Sequence, residues 1–333
     1  MQLGCLRSRP GTGFRLRRVI RHICLAGWGL ALLMAPAGAA APSGKLLVAT
    51  TIVPLGDFCQ QIGGDLVQVQ VLIPPGASPH LFEPVPSVMA RASQARVFVY
   101  IGAGLEPFAA KLLGARGSSG QVVVEAAHGL HLLQETHHRG HKEPGNRGPT
   151  ASHQEKEAPP GKHLGGNPHI WLDPVLAMDI CRKIAAALIQ ADPDHRARYE
   201  ANLQEYLAAL EALHQEIQQQ ARDWTLRNFV SFHPSFAYFA RRYNLHEVGV
   251  IEEAPGREPT PRQLQDLVAA VRGAGIRVVF AEPQFNPRVA EVIAQEAGVK
   301  VLMLDPIGGP PPYGSNYLKL LRYNLSMLNQ ALR

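Results

Sequence analysis

Three histidines and one aspartate stand in short, proline-bearing settings: Ser78-Pro79-His80-Leu81-Phe82-Glu83-Pro84, Asn167-Pro168-His169-Ile170-Trp171-Leu172-Asp173-Pro174, Ser231-Phe232-His233-Pro234-Ser235-Phe236 and Leu304-Asp305-Pro306-Ile307-Gly308. Neutral imidazole and carboxylate together make a four-coordinate N/O set, which suits Zn²⁺ at bond lengths of about 2.0–2.2 Å. The four residues span more than 220 positions, so only a folded chain brings them together. Between the first two motifs lies a polar tract with seven histidines: His128, His131, His137, His138, His141, His153 and His163. Histidine-rich tracts bind metal weakly without a fixed fold. One tight site beside a weak, histidine-rich loop points to metal capture.

Each of these residues also has a bland reading. A lone histidine beside apolar residues is usually a packed or loop residue, and Asp305 before Pro306 could cap a helix. It is the recurrence at four strand or loop ends that favours ligation. Glu83 and Asp173 are candidates for orienting an imidazole from outside the ligand set, whereas Glu252, Glu253 and Glu282 read as rim or structural acids. A zinc hydrolase usually keeps three protein ligands and an open water position; here a fourth protein ligand closes the set, and no H-E-x-x-H occurs. No G-x-x-x-x-G-K-[ST] occurs either, so a nucleotide-binding P-loop is excluded. Imidazoles must be neutral to ligate, so at their ordinary pKa of about 6.5 they would surrender metal below roughly pH 6.

The elements that must position these residues alternate. Short apolar strands are expected at 45–51, 67–73, 97–100 and 122–124, with helices at 85–95 and 107–113 and another helix opening after residue 53. A second run follows, with strands at 229–232, 247–250, 277–281 and 300–304 and helices at 236–243, 260–273, 287–297 and from 317 to the end. Alternation of this kind predicts an α/β fold with two lobes, each a mainly parallel sheet flanked by helices. The candidate ligands fall near the C-terminal ends of strands, where open sheets bind ligands. Between the two runs, residues 174–191 and 193–222 carry apolar residues at helical spacing. The second of these is long enough to join two lobes, and its His195 and His214 read as surface or partner-facing residues rather than ligands. The expected division is 45–174 for the first lobe, including a mobile loop at 128–166, then 175–224 for a helical connector and 225–333 for the second lobe.

The N-terminus bears on where this chemistry happens. Residues 1–41 hold six arginines and no acid, then an apolar run from Ile23 to about Ala35 and small residues up to Ala41. That is a secretory signal pattern, with cleavage expected near residues 39–41 and no stable membrane insertion afterwards. Of 33 Lys and Arg in the chain, those six leave with the signal, so the remainder balances 27 Asp and Glu. No basic footprint for nucleic acid remains. Cys59 and Cys181 are the only cysteines beyond the signal, and packing is the expected role of both.

At these motifs the chain resembles the metal-binding solute-binding proteins of bacterial ABC importers, the ZnuA-type and related TroA-like family. Pro79-His80-Leu81-Phe82-Glu83-Pro84 looks like the family's first-ligand motif, and Gly102–Pro107 resembles the segment after it. Pro168–Pro174, Phe232–Phe239 and Leu304–Gly308 look like the second, third and fourth. The resemblance implies a periplasmic, monomeric receptor whose two lobes are joined by one long helix. Zn²⁺ would lie in the cleft, held by His80, His169, His233 and Asp305, and pass to an ABC permease with its cytoplasmic ATPase. Manganese-type relatives tend to carry glutamate at the third position, so His233 resembles the zinc type. Import of Mn²⁺ or another divalent metal by the same fold is the alternative, and a zinc-dependent hydrolase is the rival of another class.

Overall fold

The computed structural model describes residues 44–114, 120–134 and 166–333. The signal segment lies outside these residues, as do five of the seven clustered histidines, at 137, 138, 141, 153 and 163.

The first half folds as β1 (Leu46–Thr50), α1 (Val53–Gly63), β2 (Val67–Val71), α2 (Pro86–Gln94), β3 (Val97–Tyr100), α3 (Pro107–Gly114) and β4 (Val122–Glu125). Two helices follow, α4 (Pro174–Ala191) and α5 (Arg196–Ala221). The second half is β5 (Asn228–Ser231), α6 (Ala237–Tyr243), β6 (His246–Val250), α7 (Pro261–Gly273), β7 (Val278–Ala281), α8 (Arg288–Ala297), β8 (Lys300–Met303) and α9 (Tyr317–Leu332). The strands form two four-stranded sheets of the same topology, β2-β1-β3-β4 and β6-β5-β7-β8, parallel throughout. The α/β expectation holds.

In each sheet the order reverses between its two central strands, β1/β3 and β5/β7. Loops leaving those strands turn to opposite sides and open a crevice. In the first lobe that crevice is filled by the lobe's own Glu106. Its carboxylate accepts the Thr51 hydroxyl at 2.6 Å and the N–H groups of Ile101 and Gly102 at 2.9 and 3.1 Å. Burial raises the Glu106 pKa to about 7. In the second lobe the equivalent crevice carries His233.

The apolar core explains how the halves are held. Alternate residues of a strand face opposite sides of the sheet. Phe229, Val278 and Phe280 point into a large core that is continuous through α1, α4, α5 and α9 with the first lobe. Val230, Val279 and Ala281 point away, into a smaller core with Leu267 and Val271 of α7 and Ile293 of α8. The first core therefore crosses the lobe boundary, and interfaces that are large and apolar restrain domain motion.

The linking helix is shorter than its sequence pattern suggests. Pro193–His195 form a 3₁₀ turn before α5 begins at Arg196. Asp192 causes the break, because its carboxylate holds the His195 ring at 2.7 Å and the Tyr199 hydroxyl at 2.8 Å. The 26 residues of α5 then span about 39 Å, with Tyr199, Tyr206, Leu210, Leu213 and Ile217 buried along one stripe. His214 is half-buried and bonds the Tyr243 hydroxyl at 3.0 Å, apart from the histidines of the pocket. Helix α9 returns to the first half, where the Tyr317 N–H donates to Asp57 at 2.9 Å. Cys59 and Cys181 are free and buried, as packing residues are. Among the described residues, no helix is long and apolar enough to cross a membrane.

Candidate metal centre

Four loop ends converge on one pocket. Strand β2 stops at Pro74-Pro75-Gly76, where Gly76 adopts φ +82° and Ala77 donates back to Pro74. A second turn, with Leu81 and Phe82 donating to Ser78 O, presents His80. His169 precedes a 3₁₀ turn at Ile170–Leu172. Strand β5 runs straight into Phe232 and His233, and Glu282 directly follows neighbouring β7. Ser78, Gln284, Phe285 and Ile307 complete the wall.

The three imidazoles meet by their outer nitrogens. His169 Nε2 lies 3.1 Å from His80 Nε2 and 3.1 Å from His233 Nε2, and all three ligand atoms fall within 4.8 Å of one another. Two ligands on a tetrahedral zinc, each at about 2.05 Å, would be about 3.3 Å apart. The spacing fits.

Which nitrogen carries the proton follows from the partners of the inner atoms. His169 Nδ1 faces Asn167 Oδ1 at 2.9 Å, and His233 Nδ1 faces Glu282 Oε1 at 2.8 Å. Both partners are acceptors, so each Nδ1 carries the hydrogen and each Nε2 turns a lone pair inward. Lone pairs pointed at one another in a buried pocket repel unless a cation lies between them. His169 and His233 are each only 3% exposed. Burial, and secondarily the charge of His233, lowers the His80 pKa to about 3. Burial first, then His233 and His80, holds His169 well below its ordinary value. These two rings thus stay neutral well below the window of an ordinary imidazole.

Asp305 is placed differently. Its side chain is fully buried, yet it stands outside the group formed by the three histidines. Oδ1 accepts from Gln284 Nε2 at 2.9 Å and from the N–H groups of Ile307 and Gly308 at 2.9 and 3.0 Å, while Oδ2 accepts from the Tyr313 hydroxyl at 2.5 Å. The carboxylate organises its own loop, with one oxygen lightly used. His128 and His131 also lie apart from the group.

Two expected orienting acids take other roles. Asp173 caps α4 through Val175 N–H at 2.9 Å and forms a two-pronged ion pair with Arg242, at 2.7 Å from Nη2 and 2.9 Å from Nε. Glu83 is exposed and pairs with Lys111 at 3.6 Å. Asn167 and Glu282 orient the rings instead. Asn167 was legible from local spacing, since an amide two residues before a ring can bond both that residue's N–H, here at 3.0 Å, and its Nδ1. Glu282 reads as a rim acid in sequence because only the β5–β7 pairing brings it beside His233.

A parallel two-lobed α/β chain with converging imidazoles defines a metal-receptor class, and comparison with known proteins agrees. Residues 48–331 match the family model described as zinc-uptake complex component A periplasmic, ZnuA. A putative metal-binding protein of Treponema pallidum (strain Nichols) is 35% identical over 257 residues, covering 77% of this chain and 78% of that one. The high-affinity zinc uptake system protein ZnuA of Bacillus subtilis (strain 168) is 29% identical over 292 residues, covering 86% and 88%. A crystal structure of ZnuA superposes with a TM-score of 0.72 at 34% identity, covering 86% of this chain and 99% of that one. The chain belongs to the ZnuA family of zinc-uptake solute-binding proteins. Its members are receptors rather than enzymes.

Proposed function

We propose that this chain captures Zn²⁺ outside the cytoplasm, in the periplasm, and hands it to an ABC permease driven by a cytoplasmic ATPase. The observation that carries the reading is the set of three converging Nε2 atoms, two of them, on His169 and His233, in tautomers fixed by Asn167 and Glu282. Imidazole favours zinc over manganese, which prefers oxygen. His80, His169 and His233 are the first three ligands. Asp305 is the fourth, approaching through the lightly used Oδ2 and adding the negative charge that three neutral rings lack.

The receptor works as a monomer after its signal is cleaved near residues 39–41. Its histidine tract, with His131, His137, His138, His141, His153 and His163, adds weak sites that raise the local supply of metal. Metal analysis and calorimetry on the mature chain test the reading. One tightly bound Zn²⁺ per chain is expected, abolished by His169→Ala and retained when residues 135–165 are deleted. Tight binding that survives His169→Ala, or that vanishes with the tract, would overturn it.

A further inference from the structure

The segments carrying His80 and His169 are fastened to the second lobe in very different ways. Around His169, Asn167 Nδ2 donates to Pro234 O at 2.6 Å, the Tyr238 hydroxyl to Asn167 O at 2.7 Å, and Trp171 Nε1 to Pro306 O at 2.7 Å. The Asp173–Arg242 pair adds a fourth tie. Among the described residues, the 74–85 loop makes no such bond to the second lobe, and Ser78 Oγ is buried without a partner. Besides the approach of His80 to His233, two apolar contacts of this loop fall on second-lobe glycines.

On one side of His80, Pro75 lies against Gly309. A Cβ on Gly309 would stand 2.6 Å from Pro75 Cβ and 3.3 Å from its Cα, and Gly309 adopts φ +106°. On the other side, Leu81 lies against Gly256, where a Cβ would stand 3.2 Å from Leu81 Cδ1, and Gly256 adopts φ +80°. Each glycine belongs to a loop that is itself tied to the site. The Glu252 carboxylate accepts Gly256 N–H at 2.8 Å, and Glu252 N–H donates to Phe232 O, next to His233, at 2.7 Å. Gly309 follows Gly308, whose N–H donates to Asp305 Oδ1 at 3.0 Å. The His80 loop is therefore clasped on both sides of its histidine, by the loop that carries Asp305 and by the loop after β6 that is bonded to Phe232 beside His233. The inter-lobe core is continuous, and this loop is the pocket wall with the fewest polar ties across the lobes among the described residues.

We infer that Pro75 on Gly309 and Leu81 on Gly256 are positioning contacts for His80, holding its loop closed and setting the rate at which metal enters and leaves. The inference rests on the zinc reading above. Both side chains are largely exposed, Leu81 by 58%, so truncating them leaves the core untouched.

Stopped-flow kinetics on the mature chain, with Zn²⁺ and an excess of chelator, would compare wild type with Leu81→Ala and Pro75→Ala. Leu81→Ala removes part of one apolar contact, and dissociation should quicken by about fivefold. Association should quicken too, because the metal-free loop opens more often, so Kd moves less than the dissociation rate. Leu81→Met, which still reaches Gly256, should restore both rates. Unchanged rates in Leu81→Ala and Pro75→Ala overturn the clasp, as does faster dissociation with unaltered association. A lower metal-free melting temperature with wild-type rates also overturns it, by making the contacts merely structural. Failure of wild type to bind zinc would instead sink the zinc reading.

Discussion

Glu282 and His233, 49 residues apart, meet at 2.8 Å between a carboxylate oxygen and Nδ1 where β5 and β7 diverge. The same oxygen also takes Ser235 Oγ at 3.2 Å. One acid thus fixes the ring's tautomer, raises its basicity toward a metal and anchors the turn that follows β5. Two neighbouring parallel strands supply ligand and orienter from a single crevice.

Removing that acid should weaken zinc without removing a ligand. Partners of this kind are worth about tenfold to a hundredfold in metal affinity. Glu282→Gln keeps an acceptor and loses the charge, so a loss of about tenfold is expected; Glu282→Ala should approach the upper figure of about a hundredfold. Competition titration with a chelator of known affinity measures both. Equal affinities in wild type and Glu282→Ala would detach this carboxylate from the metal centre.

Metal preference depends on the same pair. His233→Glu exchanges imidazole for a hard oxygen donor that suits Mn²⁺. Made alone, the change sets a second carboxylate beside Glu282, and two buried carboxylates at such range resist ionising together. The single variant should therefore lose zinc affinity and gain little for manganese. His233→Glu combined with Glu282→Gln should shift the Zn/Mn ratio toward manganese by at least about tenfold. Direct competition between the two ions reads the ratio, and an unmoved ratio in the double variant would place position 233 away from the metal.

Much of this architecture is legible in the sequence. The strands that deliver His233 and Asp305, the capping box of Thr260 and Gln263 and the run of α4 all follow from periodicity and local chemistry. Strand order was not, because β5–β7 adjacency is a choice among crossovers that leaves no mark on either strand. Glu282 was hidden for that reason. The break before α5 was hidden because Asp192-Pro193 reads equally as the start of an α-helix or of a 3₁₀ turn. Asp173 shows a third kind of concealment. Its partner Arg242 lies 69 residues away on α6, and only folding reveals that an acid two residues beyond Trp171 serves the lobe interface rather than an imidazole.

Asp305 should contribute to zinc binding through charge as much as contact. Zinc that binds only the folded chain stabilises it by about 4 kcal/mol at a thousandfold excess over Kd. Asp305→Ala should shrink the zinc-induced rise in melting temperature. It should also lower the metal-free melting temperature, since Ile307 N–H, Gly308 N–H and the Tyr313 hydroxyl lose a buried acceptor. Tyr313→Phe separates the two effects by freeing Oδ2 alone. Tighter zinc binding in Tyr313→Phe is expected if Oδ2 reaches the metal; a wild-type zinc shift in both variants would remove Asp305 from the ligand set.

Zinc capture should persist well into acid. Two imidazoles of ordinary pKa would each be mostly protonated at pH 5, and proton competition would weaken zinc by about a thousandfold relative to pH 7. In the folded chain burial has lowered His80 to about 3 and His169 well below its usual value. For a histidine whose folded pKa is depressed, the folded state stays neutral while the unfolded chain takes up protons below about pH 6.5. Acid therefore draws on the stability of the metal-free fold in that window, while His80 and His169 keep their lone pairs. Chelator competition at pH 7, 6 and 5 should show Kd rising by far less than about the thousandfold that two ordinary imidazoles would impose, and melts of the metal-free chain should show stability falling over the same range. A thousandfold loss of zinc affinity by pH 5 would mean that the rings titrate as exposed histidines do, and that the pocket is far wetter than its 3% exposed His169 implies.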